Sequence, residues 1–382
     1  MEGERLSQHP KFNIEDTNIA LLGSDLERRV REHAGDKEVA WETAGKAPGL
    51  DVWRVEHFRI AKWPRERHGT FYDGDSYLVL HTYKNHNETD ALAYDLHFWL
   101  GKDTSQDEAG TAAYKTVELD DYLNGQPVQY REVQGFESSR FLSYFPHFIT
   151  LHGGISTGFH HVSAPPPAEV KKLYKIQISQ PPYNHLVVRE VPAEASSIVQ
   201  GAVYVLDEGT KALQFNTKES VGKERFKAAE FVRLLVNERQ SQPQVIVYDE
   251  GASGAGIFLS EFESDAVLPA PVKPRQAEST KASLYRLSDA SGRLVFESMG
   301  GFTGLGSLSS GDVYLIDNTA DICQPAIYVW IGKSASLNER RLVMQYAQQY
   351  LYKAGAGAAV SIVKIAEGME NNRFLINLGG SA

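Results

Sequence analysis

The sequence predicts an α+β protein of three tandem units, each a central mixed, mostly antiparallel β-sheet packed between helices. Three observations carry this. The order strand, Gly-led strand, strand, turn, Glu-bearing segment is written three times; a 3.6-residue apolar period follows each turn; and proline gathers between the copies.

In the first copy the strands are "LDVWRVEHFRI" (50 to 60), "YDGDSYLVL" (72 to 80) and "YDLHFWLGKDTSQDEAG" (94 to 110). In the second they are "KKLYKIQI", "VQGAVYVLD" and "ALQFNTKESVGKERF", and in the third "ASLYRLS", "SSGDVYLID" and "AIYVWIGKSASLNERR". After the turns, Leu342, Val343, Tyr346, Ala347, Tyr350 and Leu351 mark one helical face, and Phe226, Ala229, Phe231 and Leu234 are assigned the same part. A further strand follows each helix ("PQVIVYDE", "AAVSIVKIAEG").

"SAPPPAE" (163 to 169) and "LPAPVKPRQAEST" (268 to 280) read as semi-rigid linkers. The expected division is an extension over 1–47, with one short amphipathic helix at "SDLERRVREHA", and units over 48–163, 170–266 and 281–380.

A net charge of -10 with no long basic run argues against nucleic acid as the main partner. Cys323 is the only cysteine, which excludes an intrachain disulfide and suits a reducing compartment. No apolar run approaches the roughly 20 residues that cross a bilayer, and "MEGERLSQHP" does not resemble a signal peptide, so a cytoplasmic address is expected.

Gly74-Asp75 and Gly311-Asp312 open the middle strand of the first and third copies, and each precedes a Ser-x-x-Glu box, "SQDE" and "SLNE". A turn residue and a helix capping box explain each feature singly. Their recurrence together offers a Gly carbonyl, Asp75 or Asp312, and Glu108 or Glu339, the hard oxygen ligands that calcium takes. In the second copy the pair is Gly201-Ala202, so Glu224 stands without the aspartate and calcium there is disfavoured. "GAGAAV" has the reverse of a dinucleotide-loop order, and adjacent His160 and His161 lack the company of a zinc site. Nothing demands an enzyme.

"PGLDVWRVEHF", "YDGDSYLVLHTY", "LHFWLGKDTSQDEAGTAAYKTVELDDYLNGQPVQYREVQGFESSRFL" and "GGISTGFHHV" resemble the gelsolin superfamily of actin-severing and capping proteins. The likeness is to its three-repeat, severin- and fragmin-like members. It is strong over 48 to 162 and weaker over 170 to 262 and 281 to 378, and the leading segment resembles their N-terminal extension.

The resemblance implies three gelsolin-like repeats and a calcium-regulated protein, found with the cytoskeleton, that severs filaments, caps barbed ends and binds monomeric actin through the first repeat. It implies calcium held by the Gly74 carbonyl, Asp75, Glu108 and the Ile155 carbonyl; by Asp120 with carbonyls of Gly125 and Pro127, shared with an actin carboxylate; and by Gly311, Asp312 and Glu339. For Gly201 and Glu224 the same role is in doubt. The family's actin-wedging helix is matched here to "ESSRFLSYFPHF", with Phe141, Leu142 and Phe145 facing actin and Tyr114 and Phe159 at the other contact positions. A sheet-packing role accounts for the same stripe.

Basic clusters for phosphoinositide are thin: "FPHFITLHGG" has no Lys or Arg, and "KIQISQPPYNHLVVRE" only Lys175 and Arg189. The end at "NLGGSA", without the tail helix of six-repeat members, implies looser calcium gating in a monomeric protein. Capping without severing, and a calcium-stabilised scaffold with no actin role, are the alternatives.

Overall fold

The computed structural model describes residues 38–57, 59–84, 91–154, 171–178, 185–237, 243–252, 254–262, 282–321, 325–353 and 360–370. The helix expected at 24 to 34 lies outside them.

The first five-strand set comprises β1 (Gly49–Glu56), β2 (Arg59–Lys62), β4 (Ser76–Lys84), β5 (Leu92–Leu100) and β6 (Val128–Val133), with short β3 (Thr70–Tyr72) and β7 (Phe148–Leu151) beside it. Helix α1 (Gln106–Tyr122) joins β5 to β6, and α2 (Ser139–Leu142) follows. The second set is β8 (Lys172–Ile178), β9 (Leu186–Val191), β10 (Val203–Asp207), β11 (Lys211–Asn216) and β12 (Gln244–Asp249), with α3 (Gly222–Asn237) and α4 (Ala255–Ser260). The third is β13 (Ser283–Ser288), β14 (Val295–Gly301), β15 (Val313–Asp317), β16 (Ala326–Ile331) and β17 (Ser361–Ala366), with α5 (Leu337–Lys353).

One topology serves all three. Strands run in the orders β2-β1-β4-β5-β6, β9-β8-β10-β11-β12 and β14-β13-β15-β16-β17. Neighbours are antiparallel except the last pair of each set, which is parallel because a long helix carries the chain back between its strands. The α+β expectation therefore holds.

The sheets do not stay separate, however. Antiparallel pairing of β6 with β17 (Arg131↔Ile362, Tyr130↔Val363, Gln129↔Lys364) fuses the first and third sets into ten strands. Parallel pairing of β7 with β9, and of β3 with β7, adds first-unit strands to the second sheet and makes seven. Unpaired edge groups seek partners, and these edges find them in another unit.

Trp41 and Ala44, ahead of the expected first unit, are buried in its core, Trp41 edge-on to Trp53 at 5.1 Å. On α3 the buried face is Glu224, Lys227, Ala228, Phe231 and Val232, whereas Phe226 and Leu234 are exposed. Ala229 is exposed as well, so of the four expected positions only Phe231 is on the buried face. On α5 the reading stands, since Val343, Ala347 and Leu351 are buried.

Candidate calcium sites and partner-facing surface

The Gly74-Asp75 turn is built by close approach. Gly74 N–H donates to the Gly153 carbonyl at 2.7 Å, and a Cβ on Gly74 would lie 2.6 Å from that oxygen. A Cβ on Gly154 would come within 2.8 Å of Asp75 Oδ1. Glycine is needed here for space, not for a positive φ.

Asp75 is fully buried. Its Oδ2 takes the Tyr77 hydroxyl at 3.2 Å and faces Arg54 Nη1 at 3.4 Å. Burial and the Asp75 charge push the Tyr77 phenol well above its ordinary value. From the neighbouring Ser76, a hydroxyl chain runs by Thr104 (2.9 Å) to Glu108 Oε2 (3.4 Å), which brings the helix-start carboxylate to the mouth of the turn. Ser105 caps α1 by accepting the Glu108 N–H at 3.2 Å. A buried carboxylate, a second carboxylate and a tight glycine cradle fit a hard cation. Ile155 lies outside the described residues.

Asp73 serves the turn, accepting Gly153 N–H at 2.9 Å and His152 Nδ1 at 3.0 Å. That carboxylate raises the His152 imidazole. Asp103 joins them, with donor atoms of all three within 4.8 Å of one another. Sequence reading missed His152 and Asp103, because only folding brings the three segments together.

In the third unit Glu339 is buried and completes its capping box: Oε2 accepts Ser336 N–H at 3.0 Å and Oε1 accepts Asp289 N–H at 2.8 Å. Burial raises its carboxyl, with Asp289 and Asp312 adding negative charge beside it. Gly332 N–H holds the Asp312 carbonyl at 3.1 Å. In the second unit Ala202 is fully buried and Gly201 has φ 78°. Both oxygens of Glu224 are taken by backbone N–H groups, of Ile178 at 2.8 Å and of Val221 at 2.9 Å. Glu339 is held by two backbone N–H groups in the same way, so the second unit differs in lacking the aspartate.

Asp120 lies in the last turn of α1, its carbonyl accepting Gly125 N–H at 2.8 Å through a turn with positive φ at Asn124 and Gly125. Pro127 is buried and Gly125 exposed. Among the described residues Asp120 Oδ1 is buried with no hydrogen-bond partner, and Oδ2 lies 3.9 Å from Lys364 Nζ on β17. Burial pushes the carboxyl up to about 6 against the pull of Lys364. An unsatisfied carboxylate oxygen suits a cation, and the sheet joint covers it.

The gelsolin repeat model matches residues 59–142 and 305–375, in the two sets that keep the Gly-Asp pair. Gelsolin-like protein 1 of Lumbricus terrestris is 41% identical over 85% of this chain and 85% of its own. The chain belongs to the gelsolin family. Severin of Echinococcus granulosus is 35% identical over 89% of this chain and 90% of its own, and villin-2 of Arabidopsis thaliana is 35% identical over 88% of this chain and 34% of its own.

The partner-facing surface of this gelsolin-family chain differs from the expectation. Phe141, Leu142 and Phe145 are buried, packed with Phe71, Trp99 and Phe148. Their helix is four residues long. Phe141 and Phe145 stand 5.2 Å apart, and Phe71 is 5.9 Å from Phe141. Such a stripe is core, so these three cannot face a partner in this arrangement. The long helix is α1, whose outer side shows Tyr114 at 41% exposure. Phe159 lies outside the described residues.

A buried polar network, unseen in the sequence, pins α2 to the sheet. Arg140 and Tyr144 bond Asp95 Oδ2 (2.7 Å from Arg140 Nε, 3.0 Å from Tyr144), and His97 links Tyr144 (3.1 Å) to Glu132 (2.9 Å). Burial alone would raise Asp95, but His81, Arg140 and His97 hold it below the ordinary value.

Proposed function

We propose that this gelsolin-family protein severs actin filaments and caps their barbed ends under calcium control, binding monomeric actin through its first unit. The likeness to proteins named gelsolin-like and severin over nearly the whole chain carries the reading. The division into repeats at 48–163, 170–266 and 281–380, with the first start moved back to include Trp41, belongs to the same proposal.

Gly74, Asp75, Glu108 and Ile155 would hold one ion and Gly311, Asp312 and Glu339 another; Asp120 with the Gly125 and Pro127 carbonyls would hold a third, shared with actin. A bound ion would compensate the charge of these carboxylates, of which burial raises Asp120 and Glu339. The outer side of α1, with Tyr114, is the surface assigned to actin. An amphipathic helix entering a partner groove is a recurring recognition mode.

With β17 on β6 and Lys364 beside Asp120, this arrangement is the closed one. Calcium favours the open form by binding it more tightly, as population shift requires. Severing is mechanical: the second unit holds the filament side, the first displaces an actin–actin contact, and the protein stays as a cap. A cytoplasmic, cytoskeleton-associated monomer accords with this, and among the described residues no helix is long and apolar enough to cross a membrane.

Capping without severing is favoured by one observation. Of the two basic residues in the 175–190 stretch, Arg189 is bonded to Glu137 of the first unit at 2.8 Å and Lys175 is partly buried. Length distributions of filaments incubated with calcium and substoichiometric protein test severing. Unchanged lengths with blocked barbed-end growth would leave capping alone, and no effect on either would sink both.

A further inference from the structure

We propose that Arg54 is the internal counter-cation of Asp75, holding the ion-free site together and transferring wholly to Glu56 when a divalent cation is bound, so that Arg54 and Glu56 set the calcium affinity of the first unit. This rests on the reading of Gly74, Asp75 and Glu108 as calcium ligands.

Arg54 is 7% exposed, and its guanidinium lies between two carboxylates. Nε and Nη2 both bond Glu56 Oε1, at 2.8 and 2.5 Å, while Nη1 approaches Asp75 Oδ2 at only 3.4 Å. The contact on the ion side is therefore the looser one. The Trp63 ring, 4.9 Å from the guanidinium carbon, supports the cation from a third direction, and the Tyr77 hydroxyl shares Asp75 Oδ2. The two oxygens of Asp75 face different surroundings: Oδ2 meets Arg54 and Tyr77, and Oδ1 lies against Gly154.

A buried carboxylate needs compensating charge, which Arg54 supplies in the absence of an ion. A divalent cation on Asp75 brings like charge close to Arg54, and that repulsion grows inversely with distance. Glu56 is placed to take up the guanidinium.

The other units supply an independent comparison. Register places Arg54 opposite Tyr77, Arg286 opposite Tyr314 and Lys175 opposite Tyr204. In the third unit, which keeps Asp312, Arg286 bonds Glu297 through Nε at 3.1 Å and Nη2 at 2.5 Å. In the second, where Ala202 replaces the aspartate, the arginine is replaced by Lys175, and its cross-strand neighbour is another cation, Arg189. Asp, Arg and a holding Glu occur together in the first and third units, the Glu on the same strand in the first (Glu56) and on the neighbouring strand in the third (Glu297), and the second unit lacks that arrangement.

The test uses the full chain carrying Asp312→Asn, without actin so that the shared site at Asp120 stays incomplete, with calcium titrated calorimetrically and melting followed in calcium and in chelator. Arg54→Met is expected to melt lower in chelator, to recover most of that loss in calcium, and to bind calcium roughly tenfold more tightly. Glu56→Gln, which leaves Arg54 to Asp75, is expected to bind severalfold more weakly, and Arg54→Lys to stay near the parent. A merely structural Arg54 would lower both melting temperatures equally and weaken binding in both variants; that pattern, or unchanged affinity in Arg54→Met, overturns the proposal. Absence of any calcium heat and calcium-dependent melting shift in the Asp312→Asn parent would instead overturn the site reading itself, and the proposal with it.

Discussion

Lys364 Nζ, on the last strand of the third unit, lies 3.9 Å from Asp120 Oδ2 at the end of the long helix of the first. The contact crosses the β6–β17 joint, so the same pairing that closes the ten-stranded sheet places a cation at a carboxylate assigned to an ion shared with actin. On the proposed reading, release of Asp120 would accompany opening of the joint.

Lys364→Met should loosen that joint. The pair is partly exposed and long, so the loss is about 1 kcal/mol or less. Small-angle scattering in chelator should show a larger radius than the parent, and actin binding should need less calcium. An unchanged radius and calcium requirement would detach Lys364 from gating.

Phe141→Ala and Tyr114→Ala should behave oppositely. The first opens a cavity among Phe71, Phe145 and Phe148 and should cost about 3–5 kcal/mol in denaturant unfolding. The second removes an exposed ring, so stability should move by no more than about 0.5 kcal/mol while affinity for monomeric actin falls. Equal actin affinity in Tyr114→Ala would move the contact off this face of α1.

Ala202→Asp should not create a calcium site. Position 202 is fully buried, and Lys175 stands opposite Tyr204 where the first unit has Arg54 opposite Tyr77. An added carboxylate there meets the penalty for an uncompensated buried charge, on the order of several kcal/mol. Melting should fall equally with and without calcium, and a calcium-dependent rescue would show that the aspartate alone was missing.

The Asp95 network predicts an acid limit. A carboxyl held below its ordinary value contributes stability above the unfolded pKa of about 3.9, and loses it as pH falls through the lower folded value. Unfolding midpoints should therefore drop below about pH 4. Asp95→Asn, which leaves Arg140 uncompensated, should lose about 3–5 kcal/mol at neutral pH and show a shallower fall in acid. The same acid slope in parent and variant would assign the effect elsewhere.

What the sequence made legible was local. Strand order, the Gly-Asp turns and the capping boxes are written within a few residues, and α5 shows its buried face through Val343, Ala347 and Leu351. Phase on α3 was misread because Phe226 and Leu234 are apolar yet exposed. Phe141, Leu142 and Phe145 show the same spacing whether the stripe meets a partner or a core, and only burial separates the two. The sheet joints, the covering of Asp120 by Lys364 and the meeting of Asp73 with His152 depend on contacts between residues far apart in the chain, which no local pattern encodes.

Imaging of single actin filaments tests the central claim most directly, with protein far below the actin concentration, in calcium and then in chelator. The account predicts breaks along filaments and arrested barbed ends in calcium, with both activities much reduced in chelator. Filaments that keep their length and continue to grow at their barbed ends in calcium would contradict it.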